Sequence, residues 1–372
     1  MNLAIRGMSW VTPLGHDVAT VWKKLLESAE AGVKTISNPI SPHSYPAFCV
    51  PETIPTHARL RRSSAISRFA VAAGLAALNN AGVNSEKDAT RIALIFATSN
   101  GGVIYTKRFY HDIVASGAQA ASPLLFPETV FNAPASHLAA ILGITGASYT
   151  LVGDGAVGIL AVQMAADIMR NKSVDYCLVV AAEEIDWLLC DAYRKWRLLG
   201  PAGPVEPFRR PPRGMILSEG AGALVMAREG SIIVDRIVAG GNFAKRQCAP
   251  GLLRDIYAKL QPQDAGILVA SANGTFIDLV EEQVILQTIP KTLVYTAKPA
   301  LGEGVAAGTI WQVIAAAESL LTHQIPPVLH GPNHSALQIP NRGTEIDPSK
   351  HAIVSTCGLN QQIAGLRLSK RV

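Results

Sequence analysis

Short apolar runs recur along the chain between helix-length segments, and this alternation restricts the fold more than any other feature. The clearest runs are 91–97 (RIALIFA), 176–182 (YCLVVAA), 221–227 (AGALVMA) and 266–270 (GILVA). Runs this short and this apolar read as strands covered on both faces. Weaker strands fall at 148–152, 231–239, 292–295, 352–356 and 363–368. The segments between them include an Ala- and Leu-rich helix over 66–81, stopped by Gly82, and helices over 155–169, 281–286 and 308–321. Strands alternating with helices specify an α/β class. Two Pro-rich stretches, 201–212 and 325–340, read as loops by composition, and neither reads as a free linker, because strong core elements follow both.

The chain has 372 residues, of which 49% are hydrophobic and 16% charged. Average globular proteins carry about 25% charged residues. Such a chain buries a large core, which excludes intrinsic disorder. The same composition fits either a surface partly covered by a partner or a large monomer with a big core. The net charge is +5, and the densest basic groups are Arg59, Arg61 and Arg62, then Arg209, Arg210 and Arg213. Neither forms a stripe, so nucleic acid is not expected as a partner. Five cysteines with no C-x-x-C pair point to a reducing compartment, with neither a disulfide frame nor a metal site. Arg6 interrupts the first ten residues, so no signal peptide is expected and the location is read as cytoplasmic. Residues 304–321 are long and apolar but include Gln312 and Glu318, which favours a buried helix over a membrane span.

Residues 153–158 (GDGAVG) match G-x-G-x-x-G through Gly153, Gly155 and Gly158, with Glu183 at the end of the next strand. A dinucleotide-binding enzyme is therefore one reading. Asp154 opposes it, because its charge would lie among the amides meant for a pyrophosphate. The fingerprint also lies mid-chain, and the plainer alternative is that small residues let a helix start close against the sheet.

The same segment resembles something else more closely. Residues 150–184 are similar to the nucleophile segment of β-ketoacyl-acyl carrier protein synthases, with Gly158, Ala161, Asp175 and Glu183 on family positions. Further family motifs follow in order: VTPLG at 11–15, the turn at 97–102, Pro207 and Phe208, Arg213 and Gly214, SEGAGA at 218–223, and ANGT at 272–275 with Asp278 and Glu282 after it. The segment 298–308 matches with one residue missing, and Cys357, Gly358 and Leu359 fall on the gate. The resemblance spans nearly the whole chain. It implies a thiolase-like α/β fold, with duplicated βαβαβ halves in α-β-α-β-α layers. The halves are expected at 1–228 and 229–372.

A ketosynthase needs an ionised cysteine and two histidines that favour the malonyl enolate. At the matching positions stand Gly155, Asn273 and Glu303. The missing residue leaves Gly302 and Gly304 as alternatives for the last of these, and neither is a histidine. Lys298 is retained, and the pocket gate is Leu359. Among other thiols, Cys177, Cys190 and Cys357 read as small buried apolar residues, and His137 reads as structural. A scaffold kept without its reactive groups is similar to the chain-length factor of type II polyketide systems. That resemblance implies an active ketosynthase as heterodimer partner, acyl carrier protein met through the complex, no cofactor, and a polyketide or aryl-polyene-like product. It also implies a tunnel gate at Val103, Thr106 and Tyr110. The rival within the family is a divergent active synthase or decarboxylase that uses Cys357 or Glu303.

Overall fold

The computed structural model describes residues 3–51, 54, 55, 57–332 and 335–371. Ten strands form the large sheet. In chain order they are β1 (Ala4–Val11), β2 (Ile92–Thr98), β3 (Ser148–Val152), β4 (Tyr176–Glu183), β5 (Gly220–Ala227), β6 (Ile232–Asn242), β7 (Ala265–Val269), β8 (Leu293–Tyr295), β9 (His351–Cys357) and β10 (Gln362–Lys370). The main helices are α1 (Val18–Leu26), α2 (Ala65–Ala81), α3 (Val103–Ser116), α4 (Ala133–Leu142), α5 (Val157–Ile168), α6 (Trp187–Lys195), α7 (Ala249–Leu260), α8 (Phe276–Thr288) and α9 (Val305–Thr322).

The strand order across the sheet is β8-β7-β9-β10-β6-β1-β5-β4-β2-β3. Counted from the centre outwards, each side runs first, fifth, fourth, second, third in its own chain order. The directions repeat as well. On each side the two inner pairings are antiparallel and the two outer ones parallel. The two sides meet where Ala4 pairs with Ile233 and Ile5 with Ile232, and the Val234 N–H donates to the Leu3 carbonyl (2.8 Å).

Two helices, α5 and α9, lie between the sides and touch strands of both. Helix α9 is long and apolar enough to cross a membrane, yet 83% of it is buried inside this fold. Its Trp311 Nε1 donates to the Ala221 carbonyl (2.8 Å), and Gln312 Nε2 donates to the carbonyls of Ala270 (2.7 Å) and Ser355 (3.1 Å). Each fully buried Val, Leu or Ile on such a helix contributes roughly 1.5–3 kcal/mol. Small residues set the spacing. A Cβ on Gly158 would stand 2.7 Å from Thr309 Cγ2, so α5 can approach α9 only with glycine there. Helices α2 and α4 cover the outer face of one side, and α7 with α8 that of the other. The layers are therefore α-β-α-β-α.

Most helices expected from the sequence stand where their patterns place them. Helix α2 begins after Ser64 and ends at Gly82, whose φ of 66° is the left-handed geometry that closes helices at little cost to glycine. Strand β1 has no clean apolar run, because Arg6 interrupts it and turns outward to donate to the Ala81 carbonyl at 2.9 Å.

Candidate functional site

The GDG turn ends β3 and feeds α5, placing Gly155 at the start of that buried helix. Nothing forces glycine here. A Cβ on Gly155 would meet Gly358 Cα at 3.7 Å and the Val305 carbonyl at 3.9 Å, both ordinary contacts. The Gly155 carbonyl accepts a short hydrogen bond from the Thr309 hydroxyl on α9. Gly155, Lys298, Glu303, Cys357 and Leu359 line one cavity, which keeps only about 10 Å³ of room for water centres, enough for roughly one molecule.

The other side of this cavity is a closed polar network. Glu303 Oε2 accepts from Lys298 Nζ at 2.5 Å and from Asn273 Nδ2 at 2.7 Å. Its Oε1 accepts the Val305 N–H, at the start of α9, at 2.9 Å. Lys298, Glu303 and Asn273 are all buried. Such a pair holds only because the charges and remaining donors are matched. Neither glycine beside Glu303 faces the cavity. Gly302 has a φ of +79°, and a Cβ there would strike Phe48 and Ser218; a Cβ on Gly304 would strike Trp311.

Asn273 is itself fixed. Its side-chain oxygen accepts from the Thr275 hydroxyl (2.7 Å), and Thr275 caps α8. Its backbone N–H donates to Asp278 Oδ1 (2.9 Å), while Asp278 Oδ2 accepts from Phe208 (2.7 Å) and Gly274 (3.0 Å). Burial pushes the Asp278 carboxyl up to about 6, against the pull of these amides.

Asp154 clasps the gate. Its carboxylate accepts N–H bonds from Gly155 (2.7 Å), Leu359 (3.1 Å), Asn360 (2.7 Å) and Gln362 (3.4 Å). Burial raises its pKa, with those amides opposing the rise. Leu359 stands between the small inner cavity and two outer hollows that also share Trp196 and Asn360. Cys357 lines the inner cavity, but burial drives its thiol well above the usual range, so it is no ready thiolate.

The dinucleotide reading is corrected by the same atoms. Asp154 takes the Gly155 amide that a pyrophosphate would need. Glu183 is buried beneath the turn after β2, where its carboxylate accepts from the N–H groups of Ser99 and Asn100 (3.3 Å for the latter) instead of facing a ribose. His137 Nε2 lies 2.5 Å from Glu128 Oε1, and Glu128 accepts from the Ser64 N–H (3.1 Å) ahead of α2. That role is structural.

Val103, Thr106 and Tyr110 share one face of α3, a helix that buries none of its residues. They do not reach the Gly155 cavity. Thr106 Oγ1 donates to the Gly102 carbonyl (2.8 Å), and Tyr110 is 60% exposed. Glu184 anchors this helix, accepting from Ile104 N–H (2.9 Å) and from Ile66 N–H of α2 (3.2 Å). Sequence reasoning passed over the Asp154 clasp, the Val305 amide, Thr309 and Glu184. Only the Asp-Gly pair at 154–155 hinted at any of them.

The model of the β-ketoacyl synthase N-terminal domain matches residues 2–231, more than half of the chain. The chain belongs to the β-ketoacyl synthase family. Among curated relatives, this synthase-family chain is 24% identical over 302 residues to Nodulation protein E of Rhizobium leguminosarum bv. trifolii, covering 74% of each chain. It is 22% identical over 389 residues to 3-oxoacyl-[acyl-carrier-protein] synthase 2 of Vibrio cholerae, covering 94% of this chain and 92% of the other. Among solved structures, the ishigamide ketosynthase/chain length factor superposes with a TM-score of 0.87 at 19% identity, over 100% of this chain and 99% of that one. A β-ketoacyl synthase from Burkholderia phymatum gives 0.87 at 17% identity, over 100% of both chains. These likenesses show the thiolase-like fold.

Proposed function

We propose that this chain is the non-catalytic, chain-length-setting partner of an active ketosynthase. The pair would work in the cytoplasm on chains carried by acyl carrier protein. It would elongate them by decarboxylative Claisen condensation towards a polyketide or an aryl-polyene-like product. The observation that carries this reading is the state of the cavity. Its helix N-terminus bears Gly155 and no nucleophile, and its buried donors are consumed by Glu303. A carboxylate there opposes a developing enolate.

The surface supports a partner. Tyr110, Val114, Phe126 and Phe131 are exposed on α3 and the segment after it, and Tyr149 and Val152 are exposed on the edge strand β3. Exposed apolar area and an open sheet edge of this kind mark interaction surfaces. In this reading Val103, Thr106 and Tyr110 shape the tunnel across that surface. Residues 1–228 and 229–372 are the two halves, a division suggested by the repeated strand order.

Co-expression with a ketosynthase that has its Cys and two His is expected to yield a stable 1:1 complex. The chain alone, incubated with acyl thioester and malonyl-acyl carrier protein, is expected to show no acyl adduct by intact mass spectrometry and no condensation. Condensation by the lone chain overturns the proposal, and an adduct on Cys357 favours the divergent-enzyme rival.

A further inference from the structure

Glu303 fills a cradle built for a carboxylate. Its two oxygens draw donors from three separate elements: Lys298 from the one-turn helix Lys298–Leu301, Asn273 from the turn before α8, and the Val305 N–H from the first turn of α9. One donor is a cation and another sits at the positive end of an 18-residue helix, so the set is matched to a negative charge.

Asn273 and the backbone at residue 303 are held by contacts other than the Glu303 side chain. Asn273 is locked by Thr275 and Asp278. The Glu303 backbone is pinned on both sides, its N–H to the Ile216 carbonyl (2.8 Å) and its carbonyl to the Ser218 N–H (2.9 Å). Shortening residue 303 therefore leaves a bounded hole, continuous with the small cavity beside Gly155 and polar on one wall.

We propose that Asn273, Lys298 and the Val305 amide form a binding site for small carboxylates, which the chain occupies with its own Glu303. The site is thereby shut to carboxylates from solution. The inference stands on the donor set alone, so it holds whether or not the chain-length reading does.

Glu303→Ala removes a fragment the size of acetate, and Glu303→Gly one the size of propionate. Thermal melting of the full-length variants is followed in formate, acetate and propionate, against chloride at equal ionic strength. In chloride both variants melt below the wild type. In about 0.1 M acetate the Ala variant recovers by several degrees, as expected for a ligand that binds only the folded state. Acetate outperforms propionate in the Ala variant, and the order reverses in the Gly variant. The wild type does not respond, and adding Lys298→Met abolishes the rescue. If the truncations fail to fold in chloride, the readout is soluble refolding yield. Recovery in acetate alone supports the site, and failure in both salts overturns it. So does a rise no larger than chloride gives, or an equal rise without Lys298. Complex formation is measured separately, so its failure is distinct from a failure here.

Discussion

Gly358 passes so close to Asp154 that a Cβ on Gly358 would overlap the carboxylate. The two residues are 204 positions apart, yet they define one clasp. The loop that carries Leu359 is folded onto the helix-start turn that carries Gly155, and the carboxylate between them accepts amides from both.

Asp154→Ala would leave four amides, three of them part-buried and that of Asn360 exposed, without their carboxylate partner. The expected cost is about 2–4 kcal/mol, since each orphaned donor costs about 1–3 kcal/mol and water regains some of them. Gly358→Ala is expected to displace the loop by overlap. Hydrogen exchange at 358–362 checks both variants, which should exchange faster there and remain as protected as the wild type in α2. Unchanged protection at 358–362 would remove the clasp.

Buried carboxylates are expected to make the stability of this fold fall as pH rises. Burial pushes Glu281 from 4.5 up to about 7 and Glu183 up to about 8. Glu281 Oε1 accepts from Ser271 (2.9 Å) and Ser355 (3.0 Å), while Oε2 has no partner among the described residues. A raised folded pKa means that the native state binds the proton more tightly than the unfolded chain. The stabilisation is complete below 4.5 and is lost as pH rises through 7. Glu281→Gln is therefore expected to flatten the decline between about pH 5 and 8 by on the order of 1–3 kcal/mol. Urea unfolding across that range reads the difference. A slope equal to that of the wild type rejects it.

What the sequence disclosed and what it hid follow from the range of the interactions. Helix α2 and strands β2, β4 and β5 show in the chain because their signals are local: an Ala- and Leu-rich stretch closed by Gly82, and short unbroken apolar runs. Strand β1 was hidden by Arg6. Asn273, Lys298 and Glu303 could be singled out by their place in motifs. That Glu303 is the ligand of the other two could not, because it depends on how the turn at Gly302 points a side chain across the cavity. The Asp154 clasp was equally hidden, since three of the four amides it binds lie more than 200 residues away.

Gly155→Cys alone is not expected to restore chemistry. The new Cβ meets only ordinary contacts and the sulfur would enter the small cavity, so stability should change by no more than about 1–2 kcal/mol. Its thiolate would share a cavity with the Glu303 carboxylate, and burial and like charge both raise a thiol pKa. Intact mass spectrometry after incubation with an acyl thioester should find no adduct at neutral pH. Adding Glu303→Gln removes the repulsion and is expected to speed acylation by about tenfold or more, one pKa unit being a factor of ten in thiolate. Equal rates in the two variants would show that Glu303 does not suppress the thiolate.

Substitutions on α3 separate shape from stability. Val103 and Thr106 are half-buried on a helix that buries no residue, so Val103→Phe and Thr106→Trp should shift unfolding free energy by less than about 1 kcal/mol. If this face lines a tunnel completed by a partner, added bulk shortens the space available to a growing chain, and Tyr110→Ala extends it. Mass spectrometry of the products of the reconstituted complex reads the distribution directly. Shorter chains from the first two variants and longer ones from the third are expected, at comparable turnover. An unaltered distribution from a complex that still forms would detach these three residues from length control while leaving the pairing intact.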